Sequence, residues 1–150
     1  MTTEYRFQTT ARWTQGRRGI AEVEPHAPPL PFSAPPQFAG EAGVWTPEHF
    51  LLAAVSSCFI TTFRAIAELS RLQTAALEVS VEGTVSKAEG GFRFTEILLK
   101  PRLTVEREED RERGLRLLEK AEHSCLVSRS LLSEIRMEPS VQVTTAALVS

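Results

Sequence analysis

Cys58 and Cys125 are the only two cysteines in a chain of 150 residues. Two adjacent arginines, Arg17 and Arg18, sit in the glycine-flanked stretch Gly16-Arg-Arg-Gly19, and Glu48 precedes Cys58 in one apolar segment. A cysteine acts as a nucleophile only as the thiolate, so its pKa has to fall below about 8.5. Burial raises a thiol pKa and a nearby guanidinium lowers it. A carboxylate such as Glu48 would fix that guanidinium in place. The chemistry this set supports is thiol-based peroxide reduction. The thiolate is oxidised to a sulfenic acid, a second cysteine condenses with it to a disulfide, and an external thiol resets the pair. The competing reading is plain packing, because a free cysteine is among the most buried residue types.

The element that must position Cys58 is predicted as a helix from Pro47 to Leu72. Thr46 is suited to cap it, Pro47 fits its first position, and Glu48 complements the positive end of the dipole. No charge falls between Phe50 and Phe63, which marks a buried helix. On about 100° per residue, Leu51, Ala54, Val55, Thr61, Thr62 and Ala65 share the Cys58 face, and much of that face is small. The second cysteine ends a helix expected over 107–125. Its first half is charged and solvated, and its second half presents Leu117, Leu118, Ala121 and Cys125 on one apolar stripe.

Strands are expected around these helices. Tyr5 to Trp13 alternate with a period of two, Ile20 to Glu24 follow the glycine-flanked turn, and Leu77 to Ser86 alternate again. Lys87-Ala-Glu-Gly-Gly91 reads as a hairpin turn before a returning strand from Phe92 to Val105, in which Pro101 marks a bulge or an edge. A short helix over 129–135 and a strand from Met137 to Thr144 complete the order, with a frayed tail beyond. Six of nine prolines lie between Pro25 and Pro36, which predicts an irregular loop with at most a short edge strand. Its Leu30, Phe32 and Phe38 need cover, so they line a pocket or a subunit contact. Pro28-Pro-Leu-Pro31 also fits a proline-binding module, a short match that is common by chance. The whole reads as one α+β domain over 1–150, with a mostly antiparallel sheet wrapped around a buried central helix.

Lys+Arg 17 against Asp+Glu 19 gives no basic surface for nucleic acid. The start, Met-Thr-Thr-Glu-Tyr-Arg, lacks a signal-peptide pattern, and the charge-free run after Phe50 is shorter than the roughly 20 residues of a membrane span. These features predict a cytoplasmic protein, where a pairing of two cysteines is transient and catalytic rather than a permanent staple. His26, His49 and His123 are scattered without metal-ligand spacing, so no metal or cofactor is expected. Ser56, Ser57 and Ser124 flank the cysteines and could donate weak hydrogen bonds to a thiolate, but more often such serines bond carbonyls of their own helices. Trp13 and Trp45 are expected as core or interface anchors.

Thr46-Pro-Glu-His-Phe-Leu-Leu-Ala-Ala-Val-Ser-Ser-Cys58-Phe resembles the first signature of the OsmC/Ohr family, the osmotically inducible and organic-hydroperoxide-resistance proteins. Glu-Lys-Ala-Glu-His-Ser-Cys125-Leu-Val-Ser is similar to the second, which usually carries proline after the cysteine, where this chain has Leu126. The resemblance implies an OsmC-like fold, an intertwined homodimer, and reduction of organic hydroperoxides by a dithiol of the lipoyl type. It implies Cys58 as the peroxidatic cysteine, Cys125 as the resolving one, and Glu48 as the glutamate that holds the arginine. The Gly-Arg-x-Gly spacing favours Arg17 for that arginine, whereas counting back from Val23 favours Arg18. A redox-active or apolar-ligand-binding relative without efficient peroxidase activity is the alternative. Independently of the family, residues 48 and 58 on one straight helix lie about 15 Å apart along its axis. One arginine cannot serve both within a single chain, which predicts a dimer or a break in the helix.

Overall fold

The computed structural model describes residues 2–24 and 27–144. His26 and the tail beyond Thr144, both considered above, lie outside them. The chain divides into two compact units, Met1–Leu51 and Leu52–Ser150.

The first unit is built on three antiparallel strands in the order β1-β2-β3: β1 is Thr10–Gln15, β2 is Arg18–Glu22 and β3 is Leu30–Ser33. The strand expected from Tyr5 begins only at Thr10, which pairs with Glu22 at the end of β2. Alternation gives Tyr5 to Thr9 a strand pattern, but β2 ends before it can pair with them, and Tyr5 and Phe7 stand exposed. β3 is the short edge strand that the proline-rich stretch allows, with Pro31 opposite Ile20. A 3₁₀ turn at Pro36–Phe38 follows. It is closed by Ala39 in the left-handed region and by bonds from the Ala39 and Gly40 amides to the Pro36 and Pro35 carbonyls.

Helix α1 runs without a break from Pro47 to Leu69. Thr46 caps it, its hydroxyl accepting from the His49 amide at 3.0 Å. The expected end at Leu72 is overrun by a left-handed residue. Arg71 has φ 54°, its amide donates to the Glu68 carbonyl, and the Leu72 amide donates to the Ala67 carbonyl. This pair of bonds ends the helix and turns Leu72 back into the core. By length and composition α1 could cross a membrane. In the fold it buries a stripe spaced by four, Val55, Phe59, Phe63 and Ala67. That stripe belongs to one cluster with Ile97, Leu99, Leu103 and Leu118.

In the second unit, β4 (Thr74–Ala88) and β5 (Gly91–Val105) form a long antiparallel hairpin turning at Glu89-Gly90, with Gly90 at φ 93°. After a 3₁₀ turn at Glu108–Asp110 come α2 (Arg111–Ser124) and the single turn α3 (Leu126–Arg129). Two short strands close the unit, β6 (Glu134–Met137) and β7 (Ser140–Val143), both parallel to β5. The expected helix over 129–135 and the single last strand are therefore corrected. The helical turn comes earlier, and the strand is split.

Pro101 explains the split and corrects its own expectation. It is neither at an edge nor at a bulge, because β5 is central and Val79 faces Pro101 in register. The Leu99 and Val105 carbonyls both accept from the β6–β7 side, from Glu138 and Thr144. By the two-residue alternation of a strand, Pro101 faces that side too. It meets the gap between Met137 and Ser140, where a missing N–H leaves nothing unpaired.

Candidate active site: a paired thiol

Cys58 lies on α1 one residue before the buried Phe59, so its side chain points away from the core stripe and is half-buried. Its sulfur is 3.8 Å from the Thr62 hydroxyl, one turn further along. The Cys125 side chain and the backbone of Val127 and Leu126 lie near enough to the sulfur to shift its pKa. The two cysteines thus share one site within the second unit, both as free thiols.

Cys125 is fully buried and leaves the expected helix one residue early. Its φ of −66° and ψ of 114° are extended, so it sits at the junction of α2 and α3. The apolar stripe predicted for α2 is seen, with Leu117, Leu118 and Ala121 buried beside Cys125. Leu126, in the place of the family's proline, occupies the first position of α3 with an exposed side chain.

The environment separates the two thiols. Burial pushes the Cys58 thiol up, but the Cys125 side chain, the Val127 amide, the Thr62 hydroxyl and the Leu126 amide together outweigh it, and its pKa is lowered. Cys125 goes the other way. Burial pushes it up, interaction with Cys58 adds to this, and the Ser128 amide and hydroxyl offset only part. Of the two, Cys58 is the sulfur whose thiolate the surroundings favour, and Cys125 the one whose thiol they favour. The neutral donors at Cys58 were not named from the sequence. The i,i+4 spacing of Thr62 was visible, whereas the amides depend on where α3 begins.

The other predicted site residues lie in the first unit. Arg18 is part-buried and pairs with Glu41 at 3.3 Å. Arg17 is exposed and makes no ion pair among the described residues. Glu48 is half-buried, and its Oε1 is buried with no hydrogen-bond partner among the described residues. Phe32 packs edge-on against Phe50 at 6.0 Å, and Trp45 stacks on Phe50 at 5.8 Å. The Phe32 ring lies over Gly19, where an added Cβ would meet it at 2.5 Å. Gly19 is thus required by a close approach. Leu30 and Phe38 are partly exposed. Ser56 and Ser57 donate to the Ala53 carbonyl, as such helix serines commonly do.

The fold is α+β, with two unpaired cysteines whose thiols are shifted in opposite directions. The family model described as OsmC-like protein matches residues 40–140, and the chain belongs to that family. The Bacillus subtilis protein YmaD, uncharacterized, is 28% identical over 145 residues, covering 93% of this chain and 97% of its own. An OsmC-like protein of unknown function from Vibrio cholerae has the same fold, with a TM-score of 0.82 at 18% identity over 91% of this chain and 99% of its own. An organic hydroperoxide resistance protein OsmC from Legionella pneumophila gives 0.75 at 22% over 95% and 100%.

Proposed function

We propose that the protein is a thiol-dependent peroxidase for organic hydroperoxides. The observation that carries this is the unequal pair, a half-buried Cys58 whose thiol is shifted down beside a buried Cys125 whose thiol is shifted up. The Legionella neighbour's description as an organic hydroperoxide resistance protein supports the same reading. The Cys58 thiolate attacks the outer peroxide oxygen, the O–O bond breaks, and the alkoxide leaves to take a proton as the alcohol. Cys125 loses its proton and attacks the sulfenic sulfur, the S–O bond breaks, and hydroxide leaves as water. A lipoyl-type dithiol then reduces the Cys58–Cys125 disulfide and is itself oxidised.

In this reading Arg17 stabilises the thiolate and Glu48 orients it. Arg17 is favoured over Arg18, since Glu41 already holds Arg18. The unbroken α1 leaves Glu48 and Cys58 about 15 Å apart along the axis. In this reading a second copy completes the site, with Glu48, whose Oε1 has no hydrogen-bond partner among the described residues, holding the arginine. Leu30, Phe32 and Phe38 supply apolar surface for an alkyl hydroperoxide.

The test is turnover of cumene hydroperoxide with dihydrolipoamide in the wild type and Cys58→Ser. The wild type turns over and the variant does not; equal rates sink the assignment. A monomer in sedimentation with full activity would contradict the dimer.

A further inference from the structure

Four hydroxyl side chains lie within about one turn of Cys58 on α1: Ser56, Ser57, Thr61 and Thr62. Three of them are spent on the helix itself. Ser56 donates to the Ala53 carbonyl at 3.1 Å, Ser57 to the same carbonyl at 2.7 Å, and Thr61 to the Cys58 carbonyl at 3.1 Å. Such back-bonding is the ordinary fate of serine and threonine inside a helix. Thr62 departs from it. Its hydroxyl has one hydrogen-bond partner among the described residues, the Cys58 sulfur at 3.8 Å.

Two features put it there. Helical side chains lean toward the N-terminus, so Thr62 lies over the residue four positions before it, which is Cys58. The carbonyl that Thr62 would otherwise use is that of Cys58. It already accepts from the helix amide of residue 62 and from the Thr61 hydroxyl, which fills its two lone pairs. Thr61 thus frees its neighbour for the sulfur. Thr62 and Cys58 are both half-buried, so the contact is partly shielded from water.

We propose that Thr62 is a positioning residue for Cys58, its hydroxyl holding the sulfur in place and donating to it as a thiolate. A thiol and a hydroxyl can each donate; once the proton has left the sulfur, only the hydroxyl can. The bond therefore takes a fixed sense on ionisation and favours the ionised form. Thr62 lies beyond the stretch that resembles the first OsmC/Ohr signature, which ends at Phe59. Around the sulfur, burial opposes the thiolate, while Cys125, the backbone of Val127, Thr62 and the backbone of Leu126 favour it; Cys125 is the titratable group among them. α1 adds no charge between Phe50 and Phe63. This inference rests on the peroxidase reading for its purpose, but not for its test.

The experiment is the pH dependence of Cys58 alkylation by iodoacetamide, located by mass spectrometry, in the wild type, Thr62→Val and Thr62→Ser. Valine keeps the branched shape and removes the hydroxyl. Serine keeps the hydroxyl and removes the methyl group. The expected result is a midpoint raised by about 0.3 to 0.7 of a pH unit in Thr62→Val, an about two- to fivefold loss of thiolate at a given pH below the midpoint. Thr62→Ser stays with the wild type. Equal midpoints in the wild type and Thr62→Val, or an equal rise in Thr62→Ser, overturn the proposal. Should the valine variant not fold, Thr62→Ala, which also lacks the hydroxyl and suits a helix, takes its place with the same expected rise. Failure of peroxidase turnover would leave these alkylation results standing, so the two readings fail separately.

Discussion

The Thr62 hydroxyl lies 3.8 Å from the Cys58 sulfur, one helical turn along the same face of α1. The helix that carries Cys58 thus brings one of the sulfur's own hydrogen-bond partners, a donor once the sulfur is a thiolate. Thr62→Val keeps the shape and removes that donor. Its expected effect is a modest rise in the Cys58 pKa and an about two- to fivefold slower alkylation at neutral pH, in line with about 0.5–1 kcal/mol for a neutral hydrogen bond. Iodoacetamide kinetics check it, and an unchanged rate would remove Thr62 from the site.

The two thiols titrate in opposite senses, and so do their effects on stability. The folded protein holds the Cys58 thiolate better than the unfolded chain does. Its contribution is present above the unfolded pKa of about 8.5 and is lost as pH falls through the lower folded value. Cys125 has the reverse sign. Its contribution is present below the unfolded pKa and is lost as pH rises through its raised folded value. Urea midpoints of Cys58→Ser and Cys125→Ser against the wild type, taken from about pH 6 to 10, should diverge in these opposite directions. Alkylation at neutral pH should label Cys58 first.

The arginine question has a direct answer in kinetics. Arg18 is engaged by Glu41, and Arg17 has no ion-pair partner among the described residues. Arg17→Ala should lower kcat/KM for cumene hydroperoxide by about tenfold or more, the equivalent of one pKa unit at the nucleophile. Arg18→Ala should stay within about threefold. The opposite ranking would assign the role to Arg18.

Phe63 is fully buried in the centre of the α1 stripe. Phe63→Ala should cost about 3–5 kcal/mol, read as a lower urea midpoint with loss of alkylation selectivity as the helix loosens. A loss below about 1 kcal/mol would mean that the stripe is not the core contact it is taken for.

Much of this was legible in the chain itself. The Thr46 cap, the α1 start and the long hairpin follow from short-range rules, and each falls within a few residues of its predicted place. The misreadings share a cause. Tyr5 to Thr9 have a strand's alternation but no length of β2 to pair with, and pairing is a tertiary fact. The end of α1 depends on Arg71 accepting a left-handed backbone, which no arginine announces. By local rule Pro101 reads as a bulge or an edge, whereas the fold places it inside and opens a gap opposite it. For the site, the two cysteines were visible, and so was a reason to pair them. The donors that make them unequal were not, because backbone amides are the same in every sequence until a helix begins.

The gap at Pro101 bears on how the sheet opens locally. β6 holds four residue pairs with β5, and β7 holds four more beyond the proline. The gap uncouples the two ladders, so β6 can peel while β7 stays anchored. β6 follows α3 after Arg129, and its Ile135 and Met137 pack against the core cluster. Amide exchange should then be faster at Arg136 and Met137 than at Val141 and Val143. The proline thus divides this side of the sheet into two short ladders in place of one long one.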